Sequence, residues 1–339
     1  MSLLFRPVRA DDVDALYAMA KSTGGGFTNL APDRDTLEAK VTRALAAFDR
    51  AEDAHENDQY VFMLEDVSAG RCIGTCQIFA KIGAVWPFYS FRVGALTQYS
   101  KELERTFRAE MLTLSTDLDG ATEVGGLFLL PTERSSGAGA LLARARYLFI
   151  KMHRARFADR TIAELRGVQD DAGSSPFWDG MTGRFFGMSF READEFNAIH
   201  GNQFIADLIP KHPIYTAMIP DSARAAIGMP HTSGRAAMRM LEKEGFVFDN
   251  YIDVFDGGPA MIAPTDKIAT VAQARADRIA AFGDRDDAGV HIVAHGRLNG
   301  FRACYGAVEQ GDGEGVVLDP AAGKLLGVAE GDAITHVAR

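Results

Sequence analysis

The sequence predicts an α+β fold in which a mixed sheet is flanked by helices. Residues 60–66 and 72–80 read as two strands joined by a glycine-containing turn, which is typical of a β-hairpin. Residues 123–130 form an apolar run that ends at a polar turn, and apolar residues in 137–153 then recur at helical spacing. From about residue 290, short strand-like segments alternate with glycine-rich turns, which indicates a small β-barrel-like domain.

The other predicted elements complete this order. They are, in chain order, a strand at 3–8, a helix after Asp12, a helix at 36–48, strands at 88–96 and 161–168, a helix that Gly245 ends, a strand at 247–255 and a helix at 268–281. Between residues 170 and 230 strand-like alternation is scarce, so we expect a mostly helical insertion there. The predicted domains are a main domain at 1–262 that carries this insertion, a helical linker at 263–289 and a small β-rich domain at 290–339.

Composition argues against several classes of protein. The net charge of −10 gives no global support to a nucleic-acid-binding surface. Three cysteines make no disulfide framework, which indicates a reducing compartment, and Cys72 and Cys76 fit one face of a strand better than a metal site. We see neither a signal peptide nor an apolar run of membrane-spanning length. We therefore expect a cytoplasmic protein that binds no metal, no nucleic acid and no membrane.

The stretch LFLLPTERSSGAG, residues 127–139, joins a predicted strand to a predicted helix. Such a turn directs backbone N–H groups at one spot, with the positive end of a helix dipole behind them. That geometry suits an anion, most often a phosphate. A P-loop would need Lys and then Ser or Thr where Ala140 and Leu141 stand, and a dinucleotide site would need its full glycine pattern after the first strand.

The same turn resembles the Arg-x-x-Gly-x-Gly turn that grips the pyrophosphate of coenzyme A in GNAT-type N-acyltransferases. Residues 134–139, RSSGAG, match that pattern, and LEKEGF at 241–246 resembles the phrase Tyr-Glu-Lys-x-Gly-Phe of the penultimate helix in that fold. The predicted order of elements also resembles the GNAT order. Leu241 stands where a tyrosine often protonates the leaving thiolate, so the resemblance implies another proton donor or an unassisted thiolate.

A longer series of phrases resembles the arginine N-succinyltransferase family across nearly all of residues 3–262, and more weakly beyond. It includes, in this order, KSTGGGFTNL, LEDVSAGRCIG, SPFW, GRFFGMSF, PKHPIY and NYIDVFDGGP. The resemblance implies transfer of the succinyl group of succinyl-CoA to the α-amine of L-arginine, which gives N2-succinyl-L-arginine and CoA in arginine degradation. Succinyl-CoA is then a co-substrate, and no cofactor is bound permanently. The residues predicted to bind it are Leu127, Leu129, Arg134, Gly137, Ala138 and Gly139.

Two residues are predicted to be catalytic. The resemblance implies that His231, in GMPHTSGRA, donates a proton to the thiolate, whereas the residues alone favour a surface histidine that caps a helix. His212, in PKHPIY, is the alternative donor, although its proline neighbours favour a rigid structural loop. Glu164 is the predicted base, and an ion pair with Arg166 is the alternative role for it.

Substrate recognition is predicted from charge. Asp253 and Asp256 are predicted to bind the guanidinium of arginine, and simple turn formation beside Gly257 is an equally good interpretation. The loop Gly24-Gly25-Gly26 is expected to border the acceptor site in this fold. The free carboxylate of the succinyl group needs a cation, and the residues left open for this role are Arg92, Arg166 and Arg184.

Other functions stay open on sequence alone. The enzyme could use another acyl-CoA, such as acetyl-CoA, or ornithine as acceptor. A non-catalytic sensor of acyl-CoA or amino acids on the same fold is a different class, and Leu241 is its main support. The expected partners are small-molecule substrates, and an oligomer is compatible with the sequence.

Overall fold

The computed structural model of the protein describes residues 2–23, 28–134, 137–170, 172–200, 203–283, 288–311 and 315–339. The chain divides into two compact units. The first unit comprises Met1–Ala80, Val124–Asp159 and Pro264–Arg339, and the second comprises Lys81–Glu123 and Arg160–Ala263. Within the described ranges, none of the helices combines the length and the apolar character that a membrane crossing requires.

Helices and strands both make up the chain, which confirms the α+β prediction. The strands are β1 (Leu3–Pro7), β2 (Gln59–Asp66), β3 (Arg71–Phe79), β4 (Ser90–Ser100), β5 (Arg105–Ser115), β6 (Thr122–Leu129), β7 (Arg160–Glu164), β8 (Ile214–Tyr215), β9 (Val247–Asp253), β10 (Pro259–Pro264), β11 (Arg275–Phe282), β12 (Gly289–His295), β13 (Arg302–Gln310), β14 (Val316–Leu318) and β15 (Ala333–Ala338). The helices are α1 (Val13–Ser22), α2 (Arg34–Asp49), α3 (Ala138–Met152), α4 (Pro176–Gly180), α5 (Phe190–His200), α6 (Gln203–Leu208), α7 (Asp221–Ala226), α8 (Arg235–Lys243), α9 (Ala269–Gln273) and α10 (Pro320–Leu326).

In the first unit, β1, β2 and β3 form an antiparallel sheet, and α3 packs its apolar face against it. Phe149 of α3 meets Phe62 of β2 edge-on, with ring centroids 5.0 Å apart, and Phe62 stacks on Phe5 of β1 at 4.8 Å. All three rings are buried. Their packing fixes α3 on the sheet, and with it the turn that precedes α3.

The C-terminal strands of the first unit form a closed barrel of five strands within the described residues. The order is β12–β15–β11–β14–β13, and antiparallel pairing of β12 with β13 closes it. This result confirms the barrel-like C-terminal part of the predicted fold class.

The helix predicted at 268–281, and with it the helical linker at 263–289, is wrong over β11. Helix α9 ends at Gln273, and the strand β11 begins two residues later. The Arg- and Ala-rich sequence of β11 favours a helix, but pairing with β14 and β15 buries Ile279 in the barrel. Tertiary pairing therefore overrides a weak local preference.

The second unit contains the long antiparallel hairpin of β4 and β5, whose second strand the sequence pattern does not reveal. Strand β4 also pairs with β9, and β5 pairs with the short β8. The residues between 170 and 230 are largely helical, as expected, with α4 to α7. Phe91, Leu112, Phe177 and Ile252 share one buried core of this unit, which holds β9 and the loop after it in place.

Candidate functional site

The turn between β6 and α3 is the predicted anion site, and we call its described residues, 131–134 and 137–139, the anion turn. Gly137 caps α3 with a φ of +80°, a left-handed conformation that glycine adopts without strain. Its carbonyl accepts the N–H groups of Ala140 at 3.1 Å and Leu141 at 3.3 Å. The N–H groups of Ala138 and Gly139 therefore remain at the positive end of the helix without an intrahelical acceptor.

The predicted residues Arg134 and Gly139 differ in their surroundings. Arg134 is exposed, and its Nε donates only a long hydrogen bond of 3.4 Å to the carbonyl of Leu129. A Cβ added to Gly139 would meet Leu129 at 3.9 Å, which is ordinary contact. A Cβ at residue 139 would thus meet no clash.

Two residues of the C-terminal barrel lie on the anion turn, and sequence reasoning does not find either of them. The Tyr305 hydroxyl donates to the Gly137 carbonyl at 2.9 Å. The Arg339 guanidinium lies 4.7 Å from the centroid of the Tyr305 ring and contacts the position that a Cβ on Gly137 would take. Among the described residues, no carboxylate pairs with Arg339. Tyr305 is 168 residues from Gly137, so no local signal connects them.

Strand β6 is irregular just before the predicted thioester-binding position. Gly126 has a φ of +56°, and a Cβ there would strike the Gln77 side chain at 2.9 Å. Leu127 follows directly and is partly buried, whereas Leu129 is 6% exposed. A local break of this kind re-aims the backbone of a strand.

In the second unit, four carboxylates interact electrostatically, and we call them the acidic cluster: Glu123, Glu164, Asp253 and Asp256. Strand β6 begins in this unit and pairs in parallel with β7, so that Glu123 lies opposite Ile162. Glu164 lies two residues beyond Ile162 and therefore on the same face of the sheet as Glu123. Sequence reasoning missed Glu123, although a carboxylate in an otherwise apolar strand is an available signal.

Burial raises the pKa of every carboxyl in the acidic cluster. Burial, followed by the charge of Asp253, raises the pKa of Glu123 to about 7 and that of Asp256 to about 7. Burial, followed by Asp253 and Glu123, holds the pKa of Glu164 well above its ordinary range. Burial also raises the pKa of Asp253 itself. Neighbouring carboxyls in such an environment share protons near neutral pH.

Backbone N–H groups hold both aspartates of the cluster. Asp256 accepts from Gly167 at 2.7 Å through Oδ2 and from Gly258 at 2.9 Å through Oδ1. Asp253 Oδ1 accepts from Phe255 at 2.6 Å and from Asp256 at 2.9 Å. The turn-forming interpretation therefore describes contacts that are present, and guanidinium binding by these two residues stays a prediction.

His231 precedes a one-turn 3-10 helix, Thr232–Gly234, and caps it. Its Nδ1 lies 2.7 Å from the Ser233 hydroxyl and accepts the Ser233 N–H at 3.3 Å. The neutral ring then carries its proton on Nε2. Burial, followed by the charge of Arg166, lowers the pKa of His231. The role of proton donor stays a prediction, and the alternative, His212, is exposed.

The three arginines left open for a substrate carboxylate differ in their surroundings. Arg166 is partly buried, its Nη2 donates to Gln169, and its buried Nε has no hydrogen-bond partner within the described ranges. Arg92 is exposed, lies 3.7 Å from Asp117 and stacks over Tyr251. Arg184 is also exposed.

The structure describes Leu241 but not the glycine loop at residues 24–26. The loop Gly24-Gly25-Gly26 lies outside the described residues. Leu241 is buried in α8, so an apolar contact replaces the hydroxyl that a tyrosine would bring.

Comparisons with known protein families match residues 3–338 of the chain. A family model described as "Arginine N-succinyltransferase beta subunit" matches residues 3–270. A second model, described as the C-terminal domain of the same subunit, matches residues 269–338. Together the two models cover the second unit, the anion turn and the barrel.

Individual relatives agree with the family models. The chain is 37% identical to "Arginine N-succinyltransferase subunit beta" of Pseudomonas aeruginosa, over 99% of this chain and 98% of that protein. It is 42% identical to "Arginine N-succinyltransferase" of Citrobacter koseri, over 80% of this chain and 79% of that protein. The solved structure of "arginine/ornithine succinyltransferase subunit AI" from Pseudomonas aeruginosa superimposes with a TM-score of 0.89 at 31% identity, and the match covers 99% of this chain and 98% of that one.

Proposed function

The chain belongs to the arginine N-succinyltransferase beta subunit family, and on this premise we propose that it is an enzyme that transfers the succinyl group of succinyl-CoA to the α-amine of L-arginine. The products are N2-succinyl-L-arginine and CoA, and the reaction belongs to arginine degradation. The observation that carries the proposal is the similarity along the full length of the chain, in both sequence and fold, to a succinyltransferase subunit.

The anion turn is proposed to bind the pyrophosphate of succinyl-CoA. The N–H groups of Ala138 and Gly139, the helix dipole of α3 and the guanidinium of Arg339 all present positive charge at this turn. Arg134 is exposed beside it. Backbone groups of β6 at Leu127 are proposed to polarise the thioester carbonyl, as donors aimed at a developing oxyanion do.

The acidic cluster and His231 are proposed to supply the acceptor and proton chemistry. The α-amine attacks the thioester carbon and a C–N bond forms, while Glu164 accepts the amine proton. The C–S bond then breaks, and His231 protonates the departing thiolate. A carboxyl with a raised pKa is a stronger base once ionised, which supports Glu164 in this role. The form of His231 that donates is the protonated ring, and the lowered pKa of His231 makes that ring a stronger acid towards the departing thiolate.

Arg166 is proposed to bind the free carboxylate of the succinyl group. Its buried Nε is a donor without a partner among the described residues, whereas Arg92 already faces Asp117 and Arg184 is exposed. A guanidinium binds a carboxylate best through two parallel N–H groups. This residue is therefore proposed to select succinyl-CoA over acetyl-CoA.

Release of free thiol tests the proposed function. Purified protein is incubated with succinyl-CoA or acetyl-CoA and with arginine, ornithine, lysine or citrulline, and the thiol of CoA is measured. We expect the highest kcat/KM for succinyl-CoA with arginine. Binding of succinyl-CoA without thiol release from any acceptor would contradict the proposal and favour the sensor function.

Ornithine is a second candidate acceptor, because one similar solved structure is that of an "arginine/ornithine succinyltransferase" subunit. The acceptor panel separates the two substrates. Two relatives are named as subunits, which supports an assembly of this chain with other chains. Size-exclusion chromatography with light scattering tests that assembly.

A further inference from the structure

Glu123 is a buried carboxylate that finds no partner among the described residues. Its side chain is 8% exposed, and within the described ranges it forms no hydrogen bond or ion pair. The two aspartates of the acidic cluster, by contrast, are held by backbone N–H groups. The Glu123 oxygens are not among the fully buried atoms without a partner, so the carboxylate reaches solvent from an otherwise buried side chain and can be reached by a cationic ligand.

The strand register places Glu123 and Glu164 as neighbours. Glu123 pairs with Ile162, and Glu164 is two residues further along β7 on the same face. Strand geometry separates their Cα atoms by about 8 Å. At this separation the two glutamate side chains can both contact one cation that lies between them. Glu164 is only partly buried and also lacks a hydrogen-bond partner in the described part of the chain. The pair therefore has one buried and one more accessible carboxylate.

We propose that Glu123, together with Glu164 and Asp253, binds a positively charged group of the acceptor amino acid, and that Glu123 is the buried anchor of this site. The inference rests on the proposed function and adds a residue that selects the acceptor. The cation is either the α-ammonium of arginine, whose proton Glu164 then accepts, or the guanidinium, in which case Glu164 is a binding residue and not the base. Carboxylates bind both groups by the same charge-assisted hydrogen bonds. The described residues contain no group of three or more His, Cys, Asp or Glu side chains placed to hold a metal ion.

Binding of a cation at this site is expected to release protons from the acidic cluster. Glu123 interacts with Glu164 on β7 and with Asp253, the last residue of β9. Asp256 and Asp194 on α5 interact with Asp253, and Arg166 interacts with both of them. Near pH 7 the free cluster holds protons, because burial and mutual repulsion raise the carboxyl pKa values. A bound cation lowers those pKa values, so protons leave as the acceptor binds and binding tightens as the pH rises through 7.

Steady-state kinetics of Glu123→Gln test the site. The amide keeps the shape and removes the charge. We expect the KM for arginine to rise at least about tenfold, since a charge-assisted hydrogen bond is lost, while the KM for succinyl-CoA stays within about twofold. The exposed Glu110→Gln in the same unit is the matched control and should change neither constant. An arginine KM within about twofold of the wild type in folded Glu123→Gln would overturn the proposal.

Isothermal titration separates the two cations and keeps the test independent of turnover. Arginine is titrated near pH 7 in phosphate and in Tris buffer, whose ionisation heats differ, and the difference gives the protons released. Wild-type protein should release protons, and Glu123→Gln should release fewer. Citrulline retains the effect if the site holds the ammonium, and Nα-acetyl-arginine retains it if the site holds the guanidinium.

The outcomes distinguish this inference from the proposed function. Equal heats in the two buffers for wild-type protein that turns over arginine would overturn the cation site and leave the succinyltransferase proposal standing. Proton release on arginine binding without any thiol release would support the site and contradict the enzyme proposal.

Discussion

The anion turn and the acidic cluster differ in charge and in how they are built. The anion turn presents N–H groups, a helix dipole and Arg339, and its parts need no proton exchange to bind a phosphate. The acidic cluster presents four carboxylates whose pKa values are raised by burial, so its charge depends on pH and on what binds. We propose the first as a fixed positive site and the second as a titratable negative one. The comparison therefore predicts opposite substrate charges and different responses to pH.

The largest effect is expected at His231, in the second unit, which is the proposed proton donor to the thiolate. His231→Ala should lower kcat by on the order of 100- to 10,000-fold, because a general acid is lost, and leave both KM values nearly unchanged. Rapid-mix and steady-state thiol release measure it. The exposed His212→Ala is the control and should retain activity. A loss below about tenfold in folded His231→Ala would remove the assignment.

A second test concerns the free energy of unfolding, which the raised carboxyl pKa values of the acidic cluster are expected to lower at high pH. Glu123 has a pKa of about 7 in the folded protein and about 4.5 when unperturbed, so the folded state binds more protons between these values and loses stability as the pH rises through them. Glu123→Gln should therefore unfold less readily than the wild type at pH 8, by on the order of 1–3 kcal/mol, and gain little near pH 4.5. Denaturant unfolding at both pH values measures the change. An equal gain in the free energy of unfolding at pH 8 and at pH 4.5 would show that the charge of Glu123 is not the source of the gain.

The two aspartates should differ from each other. Asp256→Asn loses an acceptor for Gly167 or Gly258, which should cost roughly 1–3 kcal/mol of stability. Asp253→Asn can keep one oxygen for its two N–H donors, so its effect should appear mainly as a smaller preference for arginine over citrulline. Thermal unfolding and kcat/KM for both acceptors measure these effects. If both variants keep the wild-type preference, the aspartates only shape the turn.

The smallest expected effect concerns the barrel. Arg339→Ala removes an exposed charge beside the anion turn, so the KM for succinyl-CoA should rise about two- to fivefold, and less at high salt. Arg302→Ala, an exposed arginine at the start of β13, is the control. No change in donor KM at low salt would mean that the barrel does not assist the donor.

The anion turn could be predicted from the sequence because its parts are contiguous. The spacing of Gly137 and Gly139 and the apolar period of α3 are local, and the structure has the turn and the helix where they predict them. Arg339 and Tyr305 could not be predicted, because the closed barrel brings them to Gly137 from far along the chain. The helix expected over β11 fails for the same reason, since strand pairing decides that segment.

The acidic cluster was only partly predictable. Asp253 and Asp256 stand out beside glycines, and Glu164 stands out on its strand. Glu123 becomes conspicuous only when parallel pairing of β6 with β7 sets it beside Glu164 and burial removes it from water. Periodicity reports which face of a strand a residue occupies, but it does not report which distant residue shares that face.

A crossed measurement tests the central claim most directly. Steady-state constants for both substrates are measured in the wild type, in Gly139→Val and in Glu123→Gln. A Cβ at residue 139 meets no atom closer than Leu129 at 3.9 Å, so we expect Gly139→Val to fold, block phosphate approach and raise only the KM for succinyl-CoA by about tenfold or more. Glu123→Gln should raise only the KM for arginine. If either variant raises both constants equally, or if the two effects are exchanged, a positive donor site and a negative acceptor site are not separate in this protein.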